Sequence, residues 1–251
     1  HCFLTLIKSE LFTPCNFSRS PVNMSRSPVA STIVIPNRTS GILLHPTSIP
    51  GRFGVGDLGS EARRFIDFLA HSNQQLWQVL PLGPTGFGNS PYMCYSAMAG
   101  NPLLISPELL RDEGLLSDSD FAGLPEFPAE RVSFDAAIAA KTQLLQTACE
   151  NFKVRATPEQ KQEFQQFCES KAYWLDDYAL FMAVKQDQQG ASWHTWDEDL
   201  AKRQPEALDR ARRRLPAEIF YQKYLQFVFF NQWSKLKQYA NKLGIQIIGD
   251  I

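Results

Sequence analysis

The sequence predicts an α/β fold in which short parallel strands are joined through helices, and three observations carry that prediction. Three apolar runs of strand length, GILLHP (41 to 46), LWQVLPL (76 to 82) and IQIIGDI (245 to 251), punctuate the chain. The first two are joined by an amphipathic stretch one helix long, the grammar of a βαβ unit. The second and third are separated by several long stretches of helical periodicity, far more than one crossover helix requires.

Taken in order, GILLHP reads as a short buried strand, and the loop after it runs through GRFGVGDLG to Ser60, a residue suited to cap a helix. In EARRFIDFLAHS, Ala62, Phe65, Ile66, Phe68 and Leu69 recur at helical spacing opposite Glu61, Arg63, Arg64 and Asp67, so this stripe should pack on the sheet. LWQVLPL ends at Pro81, and its separation from the first strand suits a right-handed crossover that makes the two parallel neighbours. SPELLRDEGLL reads as a short helix with Ser106 as cap and Gly114 as stop. AAIAAKTQLLQTACENF, PEQKQEFQQFCESKAYWLDDYALFMAVKQDQ and AEIFYQKYLQFVFFNQWSKLKQYANKL then follow with helical periodicity and no internal proline.

The organisation this predicts is a leader over 1–40, two strands and a loop over 41–102, a mainly helical insertion over 103–215, and a return helix and third strand over 216–251. The return helix, from about Ala217 to Leu243 with Gly244 ending it, is apolar on more than one stripe and should be buried on both sides.

A chain of 251 residues that is 44% hydrophobic and 20% charged can bury a sizeable core. Its formal net charge is -1, and the basic run RARRRL at 210 to 215 has no aromatic-interleaved basic surface around it, which argues against nucleic acid as a partner. No apolar run approaches the ~20 residues of a membrane span. The five cysteines, Cys2, Cys15, Cys94, Cys149 and Cys168, show no CxxC or metal-ligand spacing, so reduced thiols in a cytosol-like compartment fit best and no metal is expected. The leader carries one acidic residue, Glu10, and a repeated SRSPV at 18 to 22 and 25 to 29. Either it is a plastid-type transit peptide, or residues before Met24 are upstream translation; in both cases poor order is expected.

Two loops carry the candidate chemistry. GVGDLG at 54 to 59 matches the dinucleotide fingerprint G-x-G-x-x-G literally, but the glycines do not follow the strand directly and the second strand ends without an acidic residue for a ribose. A loop needing special backbone angles is the alternative. GPTGFGNSPYMCYSAMAGNP offers the flat faces of Phe87, Tyr92 and Tyr95 beside hydroxyl and amide groups, a combination suited to the apolar face and hydroxyl rim of a sugar. His45 and Asp250 end the first and third runs, where parallel α/β folds gather functional groups; a hydrogen-bonded structural role is the alternative for each. Trp174, Tyr178, Phe181, Tyr224, Phe227 and Trp233 sit at helical spacing and read as core, and Trp193 and Trp196 as packing at a helix junction.

GILLHPTSIPGRFGVGDLG, LWQVLPLGPTGFGNSPYMCYSAMAGNPLLIS, KAYWLDDYALFMAVK and GIQIIGDI, in this order, closely resemble the 4-α-glucanotransferases, the amylomaltase or disproportionating-enzyme family, from about Ser40 to Ile251. The resemblance implies a (β/α)8 TIM barrel with helical insertions, of which this chain supplies the first three strands, the large insertion lying between strands 2 and 3. It also implies retaining transfer of α-1,4-glucan segments between maltooligosaccharides or starch and glycogen chains, with no metal or nucleotide cofactor. By the same resemblance Ser90 and Tyr92 line the donor side of the cleft, and Phe87 takes the place of an aromatic residue at a secondary glucan site, where it can stack but cannot donate a hydroxyl bond. Met93 stands where members of the family often have glutamine. His45 and Asp250 fall in matching motifs without an assigned role.

The resemblance also implies that the nucleophile, the acid/base and a third carboxylate follow Ile251, so that no catalytic residue is expected within 1–251. The chain by itself should then be inactive, marginally stable and prone to aggregate through unpaired strand edges. A related α-glucan hydrolase, a non-catalytic α-glucan-binding module and a helical interaction protein are the competing readings.

Overall fold

The structure is a computed structural model that describes residues 38–128 and 130–250; the leader prediction therefore falls almost wholly outside the described residues. Residues from Arg38 onward form one compact unit. Its sheet has three parallel strands, β1 (Gly41–Leu43), β2 (Leu76–Gln78) and β3 (Gln246–Ile248), in the order β1-β2-β3. Each strand is shorter than its apolar run. Pro46 opens a 3-10 turn over Pro46–Ser48, and past the strands pairing continues only through single bonds such as Leu44 N–H to Gln78 O at 3.0 Å and Val79 N–H to Ile248 O at 2.9 Å.

The register places Ile42, Trp77 and Ile247 in one row and Leu43, Gln78 and Ile248 in the next, so the two rows point to opposite faces. On the first face Trp77 is fully buried, its ring edge-on to Phe65 of helix α1 (Ser60–His71) at 5.3 Å and its indole N–H donating to Leu44 O at 2.8 Å. The second face is largely open: Leu43 is 54% and Ile248 41% exposed. Among the described residues, helices therefore cover one side of the sheet.

Between β2 and β3 come α2 (Pro107–Asp112), α3 (Phe134–Arg155), α4 (Pro158–Asp187), the single-turn α5 (Glu198–Ala201), α6 (Pro205–Arg214) and α7 (Pro216–Lys242). The long helices match the periodicity read from sequence. Gly114 and Gly244, both at φ +76°, end α2 and α7 in the left-handed conformation that an L side chain resists. Ser60 is the first residue of α1 rather than its cap, a place taken by Gly59, and Ser106 caps α2 by position without a capping bond.

Helix α7 is the centre of the packing. Its consecutive residues Tyr224 to Phe229 are all buried, which no single stripe could produce. On one side Phe164 and Phe167 of α4 meet Phe227 at 5.5 and 5.7 Å, and Phe152 of α3 meets Tyr224 at 5.1 Å. On another, Tyr239 donates to Asp67 of α1 at 2.5 Å with the Arg63 guanidinium over its ring. A second, smaller core joins Leu180, Ala183 and Val184 of α4 to Ala211 of α6 and to Leu215 just after it. Trp196 packs against it and stacks near Phe181 at 5.5 Å, the junction role expected of it. Cys94, Cys149 and Cys168 are free thiols, and burial pushes Cys149 up to about 12, which keeps it protonated and inert. Among the described residues no helix is long and apolar enough to cross a membrane.

Candidate functional site

The loop after β2 folds back on itself as a short hairpin. Gly86 N–H donates to Met93 O at 2.6 Å, Tyr95 N–H to Pro84 O at 3.0 Å, and Thr85 bridges Cys94 in antiparallel sense. The tip turns through Gly88 at φ +74° and Asn89 at φ 53°, a glycine and an asparagine being the residues that tolerate that region. The hairpin presents rather than buries its aromatic residues: Phe87 is 90% and Tyr92 58% exposed, with Met93 and Tyr95 also open to solvent.

Two of the residues singled out from sequence meet here. The Tyr92 hydroxyl donates to Asp250 Oδ2 at 2.7 Å, joining the hairpin to the residue two positions past β3 across 158 residues of chain. That bond, reinforced by the carboxylate's charge, raises the Tyr92 pKa above its ordinary value and keeps the phenol a donor. Ser90 ends the 3-10 turn Phe87–Asn89, half-buried, its carbonyl accepting from Met93 N–H at 3.0 Å. Phe87 stands clear at the hairpin tip, with an open ring face. His45 is placed differently. It is buried at the end of β1, its Nδ1 has no hydrogen-bond partner among the described residues, and burial lowers its pKa to about 4, so it is neutral at physiological pH.

The loop after β1 is closed. Gly54 adopts φ +78°, a Cβ on Gly56 would lie 2.0 Å from Pro46 O, and one on Gly59 would lie 2.4 Å from Ser106 Oγ. The glycines serve close backbone approach. The N-terminus of α1, where a phosphate would sit, already holds an anion: Asp57 Oδ1 accepts from Gly59 N–H at 2.9 Å. Its other oxygen meets Lys141 Nζ at 3.1 Å, and Lys141 also donates to Leu103 O at 2.7 Å. Lys141 is fully buried in α3; burial lowers its pKa, and the neighbouring Asp57 opposes that shift. Among the described residues no group of three or more His, Cys, Asp or Glu is arranged to hold a metal.

Sequence reading passed over three residues that shape this region. Lys141 sits within the apolar stripe Ala137, Ala140, Leu144, Leu145, Ala148 of α3, and a lone lysine in such a stripe is a signal for a buried partner. Gln226 and Gln232 sit on the buried side of α7, and each pairs both its amide groups with the backbone of a single residue, Gly100 and Ser106 respectively. Amides inside a run as apolar as YLQFVFFNQW carry the same signal.

The family described as glycoside hydrolase 77, 4-alpha-glucanotransferase, matches residues 44–251. The chain belongs to the 4-alpha-glucanotransferase family. It is 53% identical over 218 residues to a 4-alpha-glucanotransferase of Synechocystis sp., covering 87% of this chain and 43% of that protein. A Solanum tuberosum relative named 4-alpha-glucanotransferase, chloroplastic/amyloplastic, is 39% identical over 221 residues, covering 85% of this chain and 38% of its own length. Among solved structures, amylomaltase from Streptococcus agalactiae in complex with acarbose superposes with a TM-score of 0.80 at 38% identity, covering 85% of this chain and 43% of that one. The fold is thus an amylomaltase-like α/β fold with a three-stranded parallel sheet and mostly helical remainder. The chain spans about two-fifths of the length of these relatives.

Proposed function

We propose that residues 41–251 form the first part of a 4-α-glucanotransferase and supply the donor side of its glucan cleft. The observation that carries this is the Tyr92 to Asp250 hydrogen bond at 2.7 Å, which fixes an exposed tyrosine ring and a polar pair at the C-terminal ends of parallel strands. A pyranose needs both, a flat apolar surface for its C–H face and fixed polar groups for its hydroxyls. Ser90, two residues before Tyr92 on the same hairpin, supplies a further hydroxyl, and His45 lies buried past the end of β1. The acarbose bound to the Streptococcus agalactiae amylomaltase supports an oligosaccharide in this cleft.

In the whole protein the sheet becomes three strands of an eight-stranded barrel, with 103–215 a helical insertion and 216–251 the return to the barrel wall. The open face bearing Leu43 and Ile248, and the outer edges of β1 and β3, which pair with no other strand among the described residues, support that reading, since a barrel closes its edges and fills its inner face. The transfer is retaining. A carboxylate after Ile251 attacks the anomeric carbon as a second carboxylic acid protonates the departing glycosidic oxygen; an acceptor sugar hydroxyl then displaces the enzyme carboxylate, giving its proton to the second. Donor-side residues of this chain hold the sugar while those steps occur. The compartment is the cytoplasm, or a plastid where residues 1–40 act as a transit peptide, as the name of the Solanum tuberosum relative supports.

The test is the protein extended through the remaining strands. It should convert maltotriose to glucose and longer oligosaccharides, Tyr92→Ala should lower that rate at least ~10-fold, and residues 1–251 alone should be inactive. Maltotriose cleaved with no longer products would favour a hydrolase; binding without turnover would favour a glucan-binding module.

A further inference from the structure

We propose that Gln226 is a positioning residue for the glucan-binding hairpin, holding its return arm and through it the Tyr92 to Asp250 pair; the inference rests on the glucan-cleft reading above. Gln226 is fully buried on α7, its Oε1 accepting from Gly100 N–H at 2.8 Å and its Nε2 donating to Gly100 O at 3.0 Å. Two bonds to one residue fix the direction of the backbone as well as its place, and inside a dry core they do not exchange with water. Helix and arm can come this close because residue 100 has no side chain: a Cβ there would lie 2.0 Å from the Phe229 ring.

From this anchor the arm is tied at nearly every step to the tip. Asn101 N–H donates to Leu82 O at 2.8 Å and closes the loop at its base. Ser96 Oγ accepts from Met98 N–H at 3.1 Å and Ala99 N–H at 3.2 Å. The hairpin pairs at Tyr95 and Met93 follow, and Tyr92 comes next. With 58% of its surface exposed, Tyr92 has too little packing of its own to fix its direction, so its aim toward Asp250 is set by what the arm rests on.

The same helix carries a matched control. Gln232 is also buried and makes the same two bonds, accepting from Ser106 N–H at 2.7 Å and donating to Ser106 O at 3.1 Å. Ser106 lies past the loop, at the start of α2, and leads nowhere toward the cleft. Removing either amide leaves a buried N–H and a buried C=O unpaired, so the two changes should destabilise alike. They should differ only in what they do to the sugar.

The experiment compares Gln226→Met with Gln232→Met in the extended protein, measuring urea midpoints and steady-state transfer with maltotriose as donor and glucose as acceptor. The midpoints should fall together, while Gln226→Met lowers kcat/KM for the donor at least ~10-fold and Gln232→Met changes it less than about twofold, the KM for glucose staying within about twofold in both. Equal losses in the two variants, or a loss in Gln226→Met that tracks its midpoint alone, would overturn the proposal. Should the Met variants not fold, Gln226→Asn and Gln232→Asn keep the amide on a side chain one methylene shorter, and the same inequality must hold. Absence of transfer by the unsubstituted protein would instead sink the functional reading, which keeps the two failures apart.

Discussion

The two loops that follow β1 and β2 are alike in composition and opposite in construction. Both are rich in glycine and proline, and both leave the C-terminal end of a parallel strand. The first is folded inward: Phe53, Val55 and Leu58 are buried, its glycines lie where a Cβ would strike neighbouring backbone or side chains, and a buried lysine from α3 grips Asp57. The second is clamped at its base by Gln226 and the Leu82 to Asn101 bond, is met farther out by Asp250 at Tyr92 and by Lys185 over the Tyr95 ring, and holds Phe87 in solvent. The difference teaches that glycine content does not tell a scaffold loop from a ligand loop. What tells them apart is where a buried polar helix side chain sits, Lys141 against Asp57 in the body of the first loop and Gln226 under the root of the second.

The sharpest way to break this contrast is Asp57→Ala, which leaves Lys141 buried without its counter-ion and Gly59 N–H without its acceptor. The expected loss is about 3–5 kcal/mol in urea unfolding, since removing one partner of a buried pair costs far more than the pair itself contributes. A loss under about 1 kcal/mol would mean that the first loop is not held by this pair.

A pH titration of stability probes the same region through His45. Its native pKa is held down to about 4 by burial, against 6.5 for the free side chain. Between those values the unfolded chain binds more protons, so the stability present above the unfolded pKa is lost as pH falls and levels off below the native one. The loss should reach at most ~3 kcal/mol. His45→Gln should flatten that window, and urea midpoints across it check the claim.

The smallest test sets glycine against glycine. In Gly56→Ala the new Cβ meets Pro46 O and Ile49 O, at 2.0 and 2.4 Å, and backbone must move, for a loss of about 2–3 kcal/mol. In Gly88→Ala nothing lies within 4 Å, and only the positive φ is strained, for about 1 kcal/mol. Equal losses would erase the distinction between a closed loop and an open one.

Much of this was legible beforehand. The α1 stripe, the three long helices and the parallel pairing of β1 with β2 follow from periodicity and proline placement, which are local properties; Phe68, read as part of that stripe, is instead 54% exposed because it lies at the stripe's margin. Strand ends were not, because the runs read as six or seven residues and only three of each pair in register; a proline-led turn after β1 and the geometry of neighbours decide that. Lys141, Gln226 and Gln232 escaped notice because a polar residue in an apolar stripe announces that a partner exists without saying which.

The sequence by itself determined the elements, their order and the family, since periodicity, turn chemistry and motif order are written along the chain. It also marked Tyr92 and Asp250 as candidates one at a time. Only the tertiary structure decided that they meet, that His45 is buried and neutral while Phe87 is exposed, and that one helix, α7, clamps the loop between them. The physical reason is range: a hydrogen bond spanning 158 residues depends on how sheet and helices pack, and no local pattern encodes that packing.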